Sequence, residues 1–229
     1  MADARKQLED TISNRLLNPK QKKLVNGQYA PFFGMTCVMH LNPKDIESFA
    51  VPLFADMSKD TKVTNIIALL PPASYHVTLR GLENMFTSDV APEHSLFILD
   101  RCKGVQKELY GMFQGQRIEM KLVRRMGGKV GGYDMLPSSD PLESLLRAGE
   151  QLTISSLLDS KELQRPQPWH MTFGYSLDPT NKAAQAAAYD AIEEHVKRHG
   201  GFSKVFEFTA PQICTYRSME GFDALFPFS

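Results

Sequence analysis

Two periodicities divide the chain. Runs in which apolar or β-branched residues alternate with polar ones predict strands over 34–41 (GMTCVMHL), 74–80, 117–125 (RIEMKLVRR) and about 168–176, with two more at the end, SKVFEFTA and PQICTYRSM. Between them, apolar residues at helical spacing predict helices over 3–17, from Asp45 to about Met57, from about Ala91 to Met112 (Leu96, Leu99, Val105, Leu109), from Asp140 to about Leu158 and from Thr180 to Arg198. Asn18-Pro19, Asn42-Pro43 and Gly200-Gly201 supply the breaks, with Asp45 and Asp140 as helix caps and Pro141 in a first turn. Segment 126–141, MGGKVGGYDMLPSSDP, is either a hairpin with a Gly-rich tip or a loop over a cleft. Its GGKVGG fits neither of the common phosphate-binding glycine motifs, which favours the hairpin. Strands and helices alternate in both halves of the chain, so the fold class is α+β.

Two of the predicted strands carry the same pattern. His76-Val77-Thr78 lies in ASYHVTLRGL and His170-Met171-Thr172 in QPWHMTFGYSL, 94 residues apart. Each copy follows an aromatic residue (Tyr75, Trp169), precedes an apolar one (Leu79, Phe173) and is approached through prolines (PPAS, RPQP). On a strand, residues i and i+2 share a face, so each His and its Thr point one way and Val77 or Met171 the other. By the same alternation Tyr75 and Trp169 turn away and pack in the core. Side by side, the two strands would place two imidazoles and two hydroxyls in one cleft, enough for proton transfer in both directions while phosphate oxygens are held.

On these motifs the chain resembles the two-histidine (2H) phosphoesterase superfamily, whose signature is a pair of His-x-Thr/Ser motifs on the central strands of two similar lobes. The resemblance runs from PFFGMTCVMHL at 31–41 to PQICTYR at 211–217. It implies one bilobal domain over 1–229, with 1–28 a polar N-terminal extension. It further implies two pseudo-symmetric lobes, each an antiparallel sheet with helices on its outer face, and a cleft between them that carries both motifs. The expected activity is metal-independent hydrolysis of a phosphodiester, a ribose 2′,3′-cyclic phosphate or a short ribonucleotide, with no cofactor. His76 and His170 would act as acid and base, and Thr78 and Thr172 would hold the non-bridging oxygens. The near-symmetry of the motifs leaves open which His is the base. A 2′,5′-oligonucleotide or cyclic-dinucleotide phosphodiesterase, an RNA 3′-end trimming enzyme and a non-catalytic nucleotide-binding module are the alternatives. Intact His and Thr in both motifs speak against the last, because a binder needs phosphate donors but not two proton carriers.

Composition narrows the partners. With 26 basic and 26 acidic residues the net charge is zero, which disfavours long nucleic acids but allows a small nucleotide or a short RNA end. Three widely spaced cysteines, Cys37, Cys102 and Cys214, show no metal-ligand spacing and suit a reducing compartment. The charged start MADARKQLED lacks the apolar core of a signal peptide, and no apolar run approaches the roughly 20 residues of a membrane span, so the expectation is cytoplasmic, with the nucleus open.

Other residues are weighed against these. Continued alternation brings Arg80 to the cleft as a two-donor phosphate clamp; if the strand instead ends at Leu79, Arg80 points to solvent. For base stacking, Phe32, Phe33, Tyr133 and Tyr216 lie in segments that could border the cleft, and Tyr216 is selected from its place in the final strand. His40, without a Thr partner, reads as structural. His195 and His199 share a helix face without a third ligand and read as a solvated surface, and His94 as part of a helix N-terminal turn. KQKK at 20–23 reads as a solvated face.

Overall fold

The computed structural model describes residues 2–17, 24–25, 28–29, 33–82, 95–126, 130–158, 168–178 and 180–226. Phe32, His94, KQKK and the glycine-rich tip at 127–129 lie outside them. Helices are α1 (Ala2–Leu17), α2 (Pro43–Asp45), α3 (Val51–Met57), α4 (Thr61–Thr64), α5 (Ser95–Phe113), α6 (Asp140–Leu157) and α7 (Lys182–Arg198). Strands are β1 (Leu24–Val25), β2 (Gln28–Tyr29), β3 (Gly34–His40), β4 (Ile67–Leu69), β5 (His76–Gly81), β6 (Ile118–Arg125), β7 (Val130–Pro137), β8 (His170–Ser176), β9 (Phe206–Phe208), β10 (Gln212–Ser218) and β11 (Gly221–Ala224).

The fold is mixed α and β, as its alternating elements require. In place of two separate sheets, the main strands join in one curled nine-stranded antiparallel sheet, ordered β11-β10-β3-β5-β8-β7-β6-β9 with β4 also paired to β8. The motif strands β5 and β8 are neighbours at its centre. Within the segment 126–141, β7 (Val130–Pro137) pairs antiparallel with β6 from Met120↔Pro137 to Arg125↔Tyr133, as the hairpin reading expects of its flanks. β11 has no clear sequence signal.

The helix boundaries follow capping chemistry. Asn42, not Asp45, caps the helical run that begins at Pro43, its side chain accepting from the Lys44 amide. Asp45 instead accepts from the Glu207 amide and pairs with Lys204. Ser139 likewise caps α6 one residue before Asp140, its Oγ accepting from the Leu142 amide. Helix α1 is no loose extension: Ala4, Leu8 and Ile12 repeat every fourth residue and are buried against the sheet core, and Gln7 donates to Thr215 of β10.

Helix α7 departs from expectation. His195 is buried rather than solvated and lies 3.0 Å from Asp60, while His199 lies 3.0 Å from Asp56, so two His–Asp pairs tie α7 to α3 and the start of α4. The His195 ring beside Asp60 holds that carboxyl below its ordinary value of 3.8. A depressed carboxyl contributes stability above its unfolded value and loses it as pH falls through the folded one. Asp60→Asn keeps the helix cap but removes the charge, and is expected to lower stability by about 0.5 kcal/mol near neutral pH. Thermal unfolding of both proteins should converge as pH drops well below 3.8. A gap that persists undiminished in acid would rule this origin out.

Candidate active site

The approach to β5 is a 3-10 turn at Pro72–Ser74, closed by Ser74 Oγ donating to the Pro71 carbonyl. The chain enters the strand with the Ser74 carbonyl beneath the next His, and His76 Nδ1 donates to it at 2.7 Å. The other motif repeats the device, His170 Nδ1 donating to the Pro168 carbonyl at 3.3 Å. A carbonyl only accepts, so Nδ1 carries a proton in both rings and Nε2 is the atom that takes or gives one.

The two strands meet at Val77↔Met171, the middle residues of the motifs, and both side chains are fully buried. The antiparallel register about this pair sets His76 across from Thr172 and Thr78 across from His170, all on the opposite face. Directly opposed Cβ atoms lie roughly 5 Å apart and diagonal neighbours such as His76 and His170 roughly 7–8 Å. His76, Thr78 and His170 are half-buried and Thr172 is 6% exposed, so the face is partly withdrawn from water. Tyr75 and Trp169 are buried on the core side, as alternation requires.

Gly132 of β7 pairs with Thr172, where an added Cβ would lie 2.4 Å from the Met171 carbonyl oxygen. Glycine here allows β7 to approach the second motif closely.

Arg80 and Tyr216 are not part of this group. Between Thr78 and Arg80 the register with β3 shifts, so that Thr78 faces Val38 but Arg80 faces Cys37. This bulge at Leu79 turns Arg80 to the core face, where it is 3% exposed and stands 3.6 Å from Glu150 of α6. It neither clamps the cleft nor points to solvent. Tyr216 is 2% exposed, covers Gly34 and meets Phe222 edge-on, with ring centroids 5.6 Å apart. It presents no stacking face, and Tyr133 is equally buried.

A family model named 2H-phosphodiest, described as a domain of unknown function (DUF1868), matches residues 22–91, which include the first motif. The likeness to that family covers 70 of the chain's 229 residues. A conserved protein of unknown function from Agrobacterium tumefaciens str. C58 has a crystal structure that superposes with this chain at a TM-score of 0.66 and 15% identity. The match covers 94% of this chain and 98% of that one and establishes a shared fold. No curated protein matches the chain in sequence.

Around the motifs, the fold places residues that the sequence did not assign to the site, His40 among them, which reads there as structural. His40 of β3 is the direct cross-strand partner of His76, and burial pushes its pKa down. Phe222 of β11 stands against the His76 ring at 4.2 Å between centroids and also meets His40 at 6.3 Å. On the other side Asp134 of β7 opposes His170 and accepts from Arg124 Nε and Nη2 at 2.9 and 2.6 Å. The two histidines therefore have unlike neighbours, an aromatic and a half-buried imidazole for His76 and a carboxylate for His170. The signal that would have revealed them is register, which one sequence does not carry.

Among the described residues no group of three or more His, Cys, Asp or Glu is arranged to hold a metal ion, and no helix is long and apolar enough to cross a membrane. The three cysteines are buried thiols, with Cys102 and Cys214 pushed up to about 12 by burial. Such thiols are not nucleophiles at neutral pH.

Proposed function

We propose that this protein hydrolyses a small phosphodiester, a ribose 2′,3′-cyclic phosphate or a short ribonucleotide linkage, by two-histidine acid–base catalysis. The observation that carries the reading is the matched Nδ1 anchoring of His76 and His170 on adjacent antiparallel strands, which commits both Nε2 atoms to one face. With a phosphate on that face, the neutral imidazole takes the proton of the attacking water as the P–O bond forms. The protonated imidazole gives its proton to the departing ribose oxygen as the other P–O bond breaks. Thr78 and Thr172 hydroxyls donate to the non-bridging oxygens, whose charge grows in the transition state. The blocks on either side of the β5–β8 seam, four strands on the β5 side and five on the β8 side, act as two lobes around this cleft. Every step is assigned to side chains, so no metal enters.

The test is a panel of 2′,3′-cyclic nucleotides, 2′,5′-oligoadenylates and cyclic dinucleotides incubated with the protein in excess EDTA, the products being read by mass spectrometry. The expected result is ring opening of the cyclic phosphates to monophosphates, with a bell-shaped pH profile because one imidazole must be neutral and the other charged. Turnover that EDTA abolishes, or a rate that climbs steadily to high pH, would overturn the mechanism.

A further inference from the structure

β5 and β8 carry the two histidines, yet among the described residues they are registered to each other only at Val77↔Met171. By contrast β3–β5 and β7–β8 are paired along most of their lengths. A ladder this short fixes the separation of two strands weakly, so the spacing must be set from elsewhere. Helix α6 reaches β5 and the residue that leads into β8. Its Glu150 stands 3.6 Å from Arg80, two residues after Thr78, and its Arg147 binds Glu150 at 2.9 Å. The Arg147 guanidinium lies 3.8 Å from the ring centroid of Trp169, the residue before His170.

Resting on the two-histidine reading above, we propose that Arg80, Glu150, Arg147 and Trp169 form a positioning strut that spans the seam and sets His76 against His170. Its chemistry is not what stability alone would select. Glu150 is 3% exposed on the face of α6 that buries Leu146, Ile154 and Leu157, where an apolar side chain is the ordinary choice. A buried ion pair recovers little more than its desolvation cost and is often replaceable by apolar residues without loss. What it adds is direction through the planar Arg147 guanidinium, whose hydrogen bond to Glu150 at 2.9 Å fixes angle and distance in a way that packed methyl groups do not, while Arg80 meets Glu150 at 3.6 Å as an ion pair. A displacement of about 1 Å at a reacting centre costs on the order of 10²-fold in rate. Arg80 thus serves the site from behind, through the strand it sits on.

The test is the double variant Arg80→Met/Glu150→Leu, which removes both charges together, with Arg147→Met as a second, less buried break. Cooperative thermal unfolding establishes that each is folded. The expected result is a kcat reduced at least about 10-fold with KM within about twofold, since alignment rather than binding is lost. NMR titration of the imidazoles supplies a readout independent of turnover, because the coupling of His76 and His170 depends on their separation. Both curves should move in the variants while that of His199 stays in place. A folded double variant with parental kcat and parental His76 and His170 titrations overturns the strut. If the double variant does not fold, the same measurements on Arg147→Met decide. A parent protein that turns over no substrate in the panel defeats the hydrolase reading instead, and the strut is then judged on the titrations alone.

Discussion

His76→Ala and His170→Ala are each expected to lower kcat by about 10²–10⁴-fold, the usual worth of one positioned acid or base. The double variant should fall little further, because one imidazole cannot complete the proton transfer without the other and the two act as a unit. Stability should change little, for both rings are half-buried on the cleft face while Val77 and Met171 carry the packing on the other side. The measurement is kcat on whichever phosphodiester the panel identifies, beside thermal unfolding of each variant. Losses that multiply in the double variant would mean two independent contributions, and the shared-site mechanism would fail.

What could be read in advance was whatever depends on local period. The alternation that separates His76 and Thr78 from Val77 needs only three residues in a strand, and the structure keeps it at both motifs. The helices were legible for the same reason, although Asn42 and Ser139 took the capping roles assigned to Asp45 and Asp140. Arg80 was misplaced because one extra residue at a bulge reverses every later side chain on the strand, and a bulge is set by the partner strand. His40 carried no signal beyond its own identity, and only pairing with β5 brings it beside His76. Phe222 belongs to a strand of four residues too short to declare itself. The partners of His195 and His199 lie 135 and 143 positions away, so a reading confined to one helix face took the pair for a solvated surface.

Gly132→Ala is expected to damage both the fold and the site. Its Cβ would meet the Met171 carbonyl oxygen at 2.4 Å and the Thr172 Cα at 3.0 Å, and both are backbone atoms of the second motif strand. A side chain in that position could rotate away, but a paired strand moves only as a unit, taking Thr172 and His170 with it. Overpacking of this kind typically costs about 1–3 kcal/mol, and a shift of about 1 Å at the reacting groups about 10²-fold in rate. Gly81→Ala is the matched control, since it lies on the first motif strand with nothing within 4 Å of its added Cβ, and it should leave stability within about 0.5 kcal/mol. Thermal unfolding and kcat measured on the two variants separate the outcomes. If Gly132→Ala behaves like Gly81→Ala in both, β7 does not press on the second motif as the geometry requires, and glycine at 132 is a matter of chain flexibility rather than of the site.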